Sequence, residues 1–430
     1  MPIYHILISL FFIIKIHTLS LLTNDHICET KSVNITDEHV QLSFRNHCLK
    51  LYFTEVNFEV IPFDMLIDNP YVFHIRFNQC RFHNDVTFYD IPRMSIISEF
   101  IFENMELALA KNCFVNCTNL KVLTFENVTF KSVDKMLFKN VQKLNLLYVW
   151  NTNILYEFIV AVESLQKLKI FECKNCGITN LKVLEAFNSV EHIVIRATSI
   201  EQFECSNIQH LQLIDQVQKV HRISNRQRIS EEQNLQLANL NLMSNEITGD
   251  FQTCHIEDVD IKHNKITTLF VQSRTLTVDA TENLISTIKC DDQMDIEQLI
   301  LNDNKLSDLM CISSMISLKI LLIDSNNFKF FKPGSFINLM NLTIISVLNN
   351  NLNYFDPNIF LTIGSSNLVR ISIDRFDFGY DQVRNFYPKL IELRHGRFNL
   401  SCSEYESIYQ MLKMQDIRFY YVEKNNCNVF

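Results

Sequence analysis

The sequence predicts an α/β solenoid built on one parallel, concave sheet, and three observations predict it. A motif, L-x-x-L-x-L-x-x-N-x-L, recurs at 237–247, 256–266, 275–285, 296–306 and 318–328. Each copy puts an asparagine in the same place, at Asn245, Asn264, Asn283, Asn304 and Asn326, and a further copy at 342–352 supplies Asn350. Upstream, the same apolar frame continues with other residues at the Asn position, stepping by roughly 21 to 25 residues. A period of this size marks a leucine-rich repeat horseshoe, with a parallel sheet inside, an irregular, 3₁₀ or short-helical convex side, and disulfide-capped ends.

The motif has a mechanical basis. Its central x-L-x-L-x alternates with period two, so in an extended strand the apolar members point one way and the variable members the other. One strand cannot bury its apolar side alone, but stacked coils form a continuous core. The chain must turn after the strand, and an Asn amide both donates and accepts there. A column of asparagines is therefore expected to stitch successive turns together.

The elements follow in order. Residues 1–20 resemble a secretory signal, with an apolar run from Ile6 to Ile14 and the small or polar Thr18 and Ser20 near a cleavage site. That run is shorter than the ~20 apolar residues of a membrane span, and no later segment is long enough, so a secreted, extracellular product without a transmembrane segment is expected. Residues 21–48 form an N-terminal cap, in which Cys28 and Cys48 bracket an alternating strand and are expected to pair. Degenerate repeats fill 49–216. Here Val56, Cys80, Met105, Val128, Thr152, Cys173 and Thr198 take the Asn position, forgoing the amide ladder while filling the same interior space. The polar segment 217–234 reads as an irregular loop or break. Regular repeats occupy 235–400, beginning with steps of 19 residues between Asn245, Asn264 and Asn283, too short for more than a loop or 3₁₀ turn on the convex side. Residues 401–430 form a closing cap: a capping box at Ser403 to Glu406 opens a helix with Tyr405, Ile408, Tyr409 and Leu412 on one face, a strand follows, and Cys402 pairs with Cys427.

Other cysteines are placed by phase. Cys290 and Cys311 each lie seven residues after their unit's Asn, in equivalent positions of adjacent coils, and are expected to bond. Cys205 and Cys254 are a candidate pair across the irregular region. Cys113 and Cys117 either pair or leave Cys117 in the core, and Cys80 and Cys173 are expected as buried thiols. The total of 13 cysteines is odd, which leaves one thiol unpaired or available for a disulfide-linked dimer. Sequons at Asn34, Asn116, Asn127, Asn341 and Asn399 agree with export and glycosylation.

Several chemistries are excluded. A net charge of -9 argues against nucleic acid as partner. The 6 glycines are too scattered for a phosphate-cradling loop. Cys173 and Cys176 have no second ligand pair for zinc, and the sequence contains no H-E-x-x-H or G-x-S-x-G. The segment Leu301 to Asn304 lacks the spacing of a calcium loop. No cofactor, metal or catalytic residue is therefore expected.

What remains is surface. Setting neighbouring strands side by side places Tyr148 and Trp150, the chain's only tryptophan, next to Lys169 and Phe171 and then Arg196. Aromatics beside cations have the composition of a binding hot spot. Glu103 and Glu126 flank that patch, and Asp260, Asp279, Asp324 and Asp374 recur farther along the inner face.

Taken together, the leader, the Phe- and Asn-rich degenerate repeats and the Cys402 to Cys427 cap resemble secreted insect leucine-rich immune proteins, including the complement-factor-escorting type of mosquitoes. The chain stops at Phe430 without the heptads of the better-known members, which resembles a coil-less subgroup. The resemblance implies an innate-immune recognition or scaffold protein whose concave face binds a protein, such as a complement-like factor or another leucine-rich repeat protein, or a glycan. A receptor or adhesion ectodomain resembling Toll-like or chaoptin-like proteins is the alternative.

Overall fold

The computed structural model describes residues 27–35, 48–59, 61, 66, 70–84, 94–111, 113–179, 190–198, 200–205, 237–292, 294–332, 335–336, 338–353, 367–374, 380, 383, 387–396 and 401–421. The expected leader, the end of the degenerate repeats at 206–216, the segment 217–234, Asn399 and Cys427 lie outside these. Contacts divide the chain into two compact units, one comprising Met1–Gly177 with Ala186–Val190 and the other Ile178–Glu185 with Glu191–Phe430. Both units are leucine-rich repeat solenoids.

In the first unit, parallel strands β1 (Ile27–Lys31), β2 (Lys50–Thr54), β3 (His74–Asn78), β4 (Glu99–Leu109), β5 (Val122–Val133), β6 (Leu146–Trp150) and β7 (Ile170–Lys174) pair in chain order. Register aligns Leu51, Ile75, Phe100, Leu123, Leu147 and Phe171 in one buried column. Phe53, Phe77, Phe102 and Phe125 stack in the next, with ring centroids 5.2 to 5.5 Å apart. Identical side chains at one register position place ring on ring at the strand spacing, and this phenylalanine spine is the unit's core.

A left-handed residue then ends the strand or, in β4 and β5, bends it. Glu55, Gln79, Asn104, Asn127, Asn151 and Asn175 have φ between +51 and +58°. In a chain with few glycines, asparagine serves there because its short amide tolerates this backbone. Asn104 and Asn127 also link coils, donating to Asn78 Oδ1 and Asn104 Oδ1 at 2.9 and 2.8 Å. Beyond the turn an outer ladder begins, Asn34–Ile35 with Asn57–Phe58 with Arg81–Phe82. β4 and β5 bend and stay paired through the same region, from Met105 opposite Val128 to Leu109 opposite Val133.

Two expectations change here. The Asn position is not wholly mute in this half: the Cys80 thiol donates to Phe53 O at 3.3 Å, and the Thr152 hydroxyl donates to Trp150 O while accepting from Val128 N. The unit expected to hold Cys173 at the Asn position runs three residues later. A helix, α1 (Tyr156–Val162), and the turn that ends it keep Leu165 in the return leg, so Leu168, Phe171, Cys173 and Cys176 are the inward set. Cys173 is accordingly a strand residue, Cys176 takes the Asn position, and the two form a disulfide, so Cys173 is not a free thiol.

In the second unit β8 (His192–Arg196), β9 (Asn239–Asn241), β10 (Asp258–Asp260), β11 (Thr277–Asp279), β12 (Gln298–Ile300), β13 (Ile320–Leu322), β14 (Ile344–Ser346), β15 (Arg370–Ile373), β16 (Glu392–His395) and β17 (Arg418–Tyr421) are parallel and in register. β8 pairs directly with β9. The asparagines form a ladder between coils. Asn264 Nδ2 donates to Leu242 O of the preceding coil at 3.0 Å and to Ile261 O of its own, while its Oδ1 accepts from Ile247 N. Asn283, Asn304, Asn326 and Asn350 repeat these bonds one coil at a time, and Asn245 reaches back to Ile195 O.

The short coils also carry strands on their return legs, where a loop or 3₁₀ turn was expected. Thr248–Gln252, Lys265–Val271 and Thr287–Cys290 form a second parallel ladder. A coil of 19 residues leaves its return leg extended, and extended neighbours in phase pair.

The closing helix α2 (Cys402–Met414) is capped by Ser401 rather than Ser403. Ser401 Oγ accepts from Glu404 N, and Glu404 Oε2 accepts from Ser401 N at 2.8 Å. The motif S-x-x-E starts two residues earlier than the hydrophobic pattern suggests, and Ile408 and Leu412 are its buried face.

Cys28–Cys48, Cys205–Cys254 and Cys290–Cys311 are disulfides. Cys402 is disulfide-bonded. Cys80, Cys113 and Cys117 are unbridged and buried, so Cys113 and Cys117 do not pair, and no exposed thiol among the described residues is available for an interchain bridge. Burial pushes the Cys80 and Cys117 thiols up to about 11 and about 12.

Candidate binding face

The side chains on the open face of the first unit's sheet follow from strand parity. Over β4 to β7 they form three rows: Glu99, Val122, Leu146 and Ile170; Ile101, Thr124, Tyr148 and Glu172; and Glu103, Glu126, Trp150 and Lys174. Tyr148 and Trp150 are half-buried, with ring centroids 5.4 Å apart. Burial raises the Tyr148 phenol to about 12, and the Glu172 and Glu99 carboxylates add to it.

The later frame of β7 changes the neighbours of this pair. Phe171 is core, 1% exposed, and Lys169 precedes the strand. The residues beside Tyr148 and Trp150 on β7 are Glu172 and Lys174. Arg196 belongs to the second unit, where its Nε donates to Asn241 Oδ1 at 3.0 Å. The expected cluster of Tyr148, Trp150, Lys169, Phe171 and Arg196 is therefore rearranged: Tyr148 stands between Thr124 and Glu172, and Trp150 between Glu126 and Lys174.

Glu103 is not a free flank, since Arg76 Nε donates to its carboxylate at 3.0 Å and the Arg76 guanidinium also lies over Tyr52. Glu126 faces solvent with no hydrogen bond or ion pair among the described residues. Among the rows named above, it is a negative charge without a partner.

The second unit's open face is occupied by its own polar chain. Asn241 donates to Asp260, and Lys262 bridges Asp260 and Asp279 at 3.4 and 3.2 Å. Farther on, Glu392 is buried between Arg370 and Arg394. Asp324 accepts from Ser346 Oγ and Leu348 N, and its burial lifts its pKa to about 6, with the Asp374 charge contributing. A carboxyl whose folded pKa lies above its unfolded value binds its proton more tightly when folded, so stability falls as pH rises from about 4 through 6. Asp324→Asn keeps the accepting oxygen without the charge. It is expected to stabilise this unit by about 1–2 kcal/mol at pH 7.5 and by nothing at pH 4, checked by denaturant unfolding at both.

Of the sequon asparagines, Asn34, Asn116, Asn127 and Asn341 are exposed. Among the described residues no group of three or more histidine, cysteine or acidic side chains is placed to hold a metal, and no helix is long and apolar enough to cross a membrane.

No protein-family model and no curated protein matches the sequence. Solved structures do match. A TLR13 complex with single-stranded RNA aligns with a TM-score of 0.64 at 13% identity, over 87% of this chain and 54% of that one. The Drosophila Toll–Spatzle complex aligns at 0.62 and 16% identity, over 87% and 50%. An APL1 leucine-rich repeat domain aligns over 94% of both chains at 13% identity and a TM-score of 0.47. This chain spans about half the length of the first two, and the likeness establishes the leucine-rich repeat fold.

Proposed function

We propose that the chain is a secreted, non-enzymatic recognition or scaffold protein of innate immunity that binds a protein partner through the strand face around Tyr148 and Trp150. The observation that carries this reading is the half-exposed aromatic pair Tyr148 and Trp150, with Trp150 flanked by the unpaired Glu126 and by Lys174. Aromatic anchors of this kind dominate interface energies, and a neighbouring unpaired carboxylate selects a basic residue in the partner. The disulfides fit an oxidising, extracellular compartment, and the sequons fit a glycoprotein there. A complement-like factor or another leucine-rich repeat protein is the partner to test first.

The test is crosslinking capture from native extracellular fluid, followed by affinity measurement on the captured protein. Trp150→Ala is expected to weaken binding by about 2 kcal/mol, roughly 30-fold in Kd. Lys169→Ala, off the patch, is expected to leave it unchanged. Equal capture by wild type and Trp150→Ala rules the face out.

A further inference from the structure

On the flank of the first unit, where strands turn into the outer ladder, lies a groove of about 1100 Å³. It is separate from the strand face discussed above. Its sides are two rows in repeat-equivalent positions. One is the left-handed row, including Gln79, Asn104 and Asn127. The other is the first outer position of each coil, including Asn57, Arg81 and Glu106. The floor is apolar, made of Val56, Cys80 and Met105.

We infer that this groove binds a neutral oligosaccharide. Three observations converge on that ligand. The walls are rich in primary amides, which donate and accept at once and so match vicinal hydroxyls that do the same. Two polar groups lack partners among the described residues: the exposed Arg81 guanidinium, and Asn57 Oδ1, a buried acceptor that a ligand meets once the Asn57 amide turns into the groove. An unsatisfied buried acceptor in a native structure calls for a donor that the protein does not supply.

The charges also cancel. Glu106 and Lys131 pair at 2.7 Å, Glu55 accepts from Ser32 Oγ, and the lining's two remaining formal charges, Glu55 and Arg81, are of opposite sign. The groove thus favours neither an anion nor a cation. From Asn34 to Asn127 it spans four coil steps, roughly 19 Å at the usual strand spacing, which suits a chain of sugars rather than one.

The saccharide has two possible sources. Asn34 and Asn127 both line the groove and both head sequons, so the chain's own N-glycans start at its rim. A free carbohydrate would meet the same groups. Asn127→Gln removes one attachment point at tolerable strain, because Gln79 holds the same backbone region at φ +54°.

The experiment has two arms on the full-length protein. In the first, an Asn34→Gln/Asn127→Gln variant is titrated with the Man3GlcNAc2 pentasaccharide by saturation-transfer NMR and calorimetry. Saturable binding is expected, weakened at least tenfold by adding Asn57→Ala or Arg81→Ala. Asn57→Ala removes an acceptor that bonds to nothing, so its melting temperature should hold or rise, which separates lost binding from lost fold.

In the second arm, amide exchange over 79–83 and 104–107 is compared between wild type and Thr129→Ala, which cancels the Asn127 sequon while leaving the Asn127 to Asn104 bond in place. Faster exchange in the variant identifies the chain's own glycan as occupant, whereas equal exchange with pentasaccharide binding identifies a free carbohydrate. If the pentasaccharide does not bind and exchange is equal, or if binding survives both Asn57→Ala and Arg81→Ala, the inference is overturned.

Discussion

Asn283→Ala is expected to lower the stability of the second unit by about 2–4 kcal/mol, because it orphans one buried backbone donor and removes a bond to each of two coils. Its Oδ1 accepts from Ile266 N, and its Nδ2 donates to Ile261 O and Ala280 O. Asn283 is 5% exposed, so water does not replace those partners. The orphaned Ile266 N costs about 1–3 kcal/mol, and the two carbonyls, which keep Asn264 and Asn304 as donors, each lose one bond of about 0.5–1.5 kcal/mol. Denaturant unfolding checks the size, and amide exchange at Ile266 checks the cause. A loss under about 1 kcal/mol would mean that the ladder is ornamental. Asn283→Asp is the companion variant: it retains an acceptor for Ile266 N, loses both donated bonds and buries a charge, so it should be no better than alanine.

The second large effect belongs to the first unit. Phe102→Ala is expected to cost about 3–5 kcal/mol, the range for truncating a buried phenylalanine. Phe102 is fully buried and stacks on Phe77 at 5.4 Å and Phe125 at 5.5 Å, so its removal opens a cavity in the middle of the spine. Phe102→Leu refills much of that volume and should recover about half the loss. The expected contrast between units is diagnostic: one is held by ring stacking and backbone pairing, the other by amides, and neither variant should alter exchange far inside the other unit.

Much of the fold is legible in the sequence because the repeat makes each coil a test of its neighbours. Leu240, Val259, Val278, Leu299 and Leu321 align as the period requires, and the asparagines bond coil to coil. The candidate site is less legible. Leu165, Leu168 and Ile170 satisfy the motif as well as Leu168, Phe171 and Cys173 do. Nothing local distinguishes the frames, and α1 in the preceding return leg decides between them. A shift by an odd number of residues exchanges the inner and outer faces of a strand, which moves Phe171 into the core and Glu172 beside Tyr148. The outer groove escapes the sequence for a different reason. Its walls come from positions the motif leaves variable, and the clue to them is the Asn, Gln or Glu that recurs one residue before the Asn position.

By itself, then, the sequence determines the coil period, the inward leucine, isoleucine and phenylalanine columns and the amide column, because burial and hydrogen bonding at those positions are decided within one repeat and its copies. The tertiary structure alone decides the frame of β7, the Cys173–Cys176 bond, the second ladder on the short coils, and the charges that stand beside Tyr148 and Trp150. Those depend on how much chain each return leg consumes before the next strand begins, and that length is set by packing between coils.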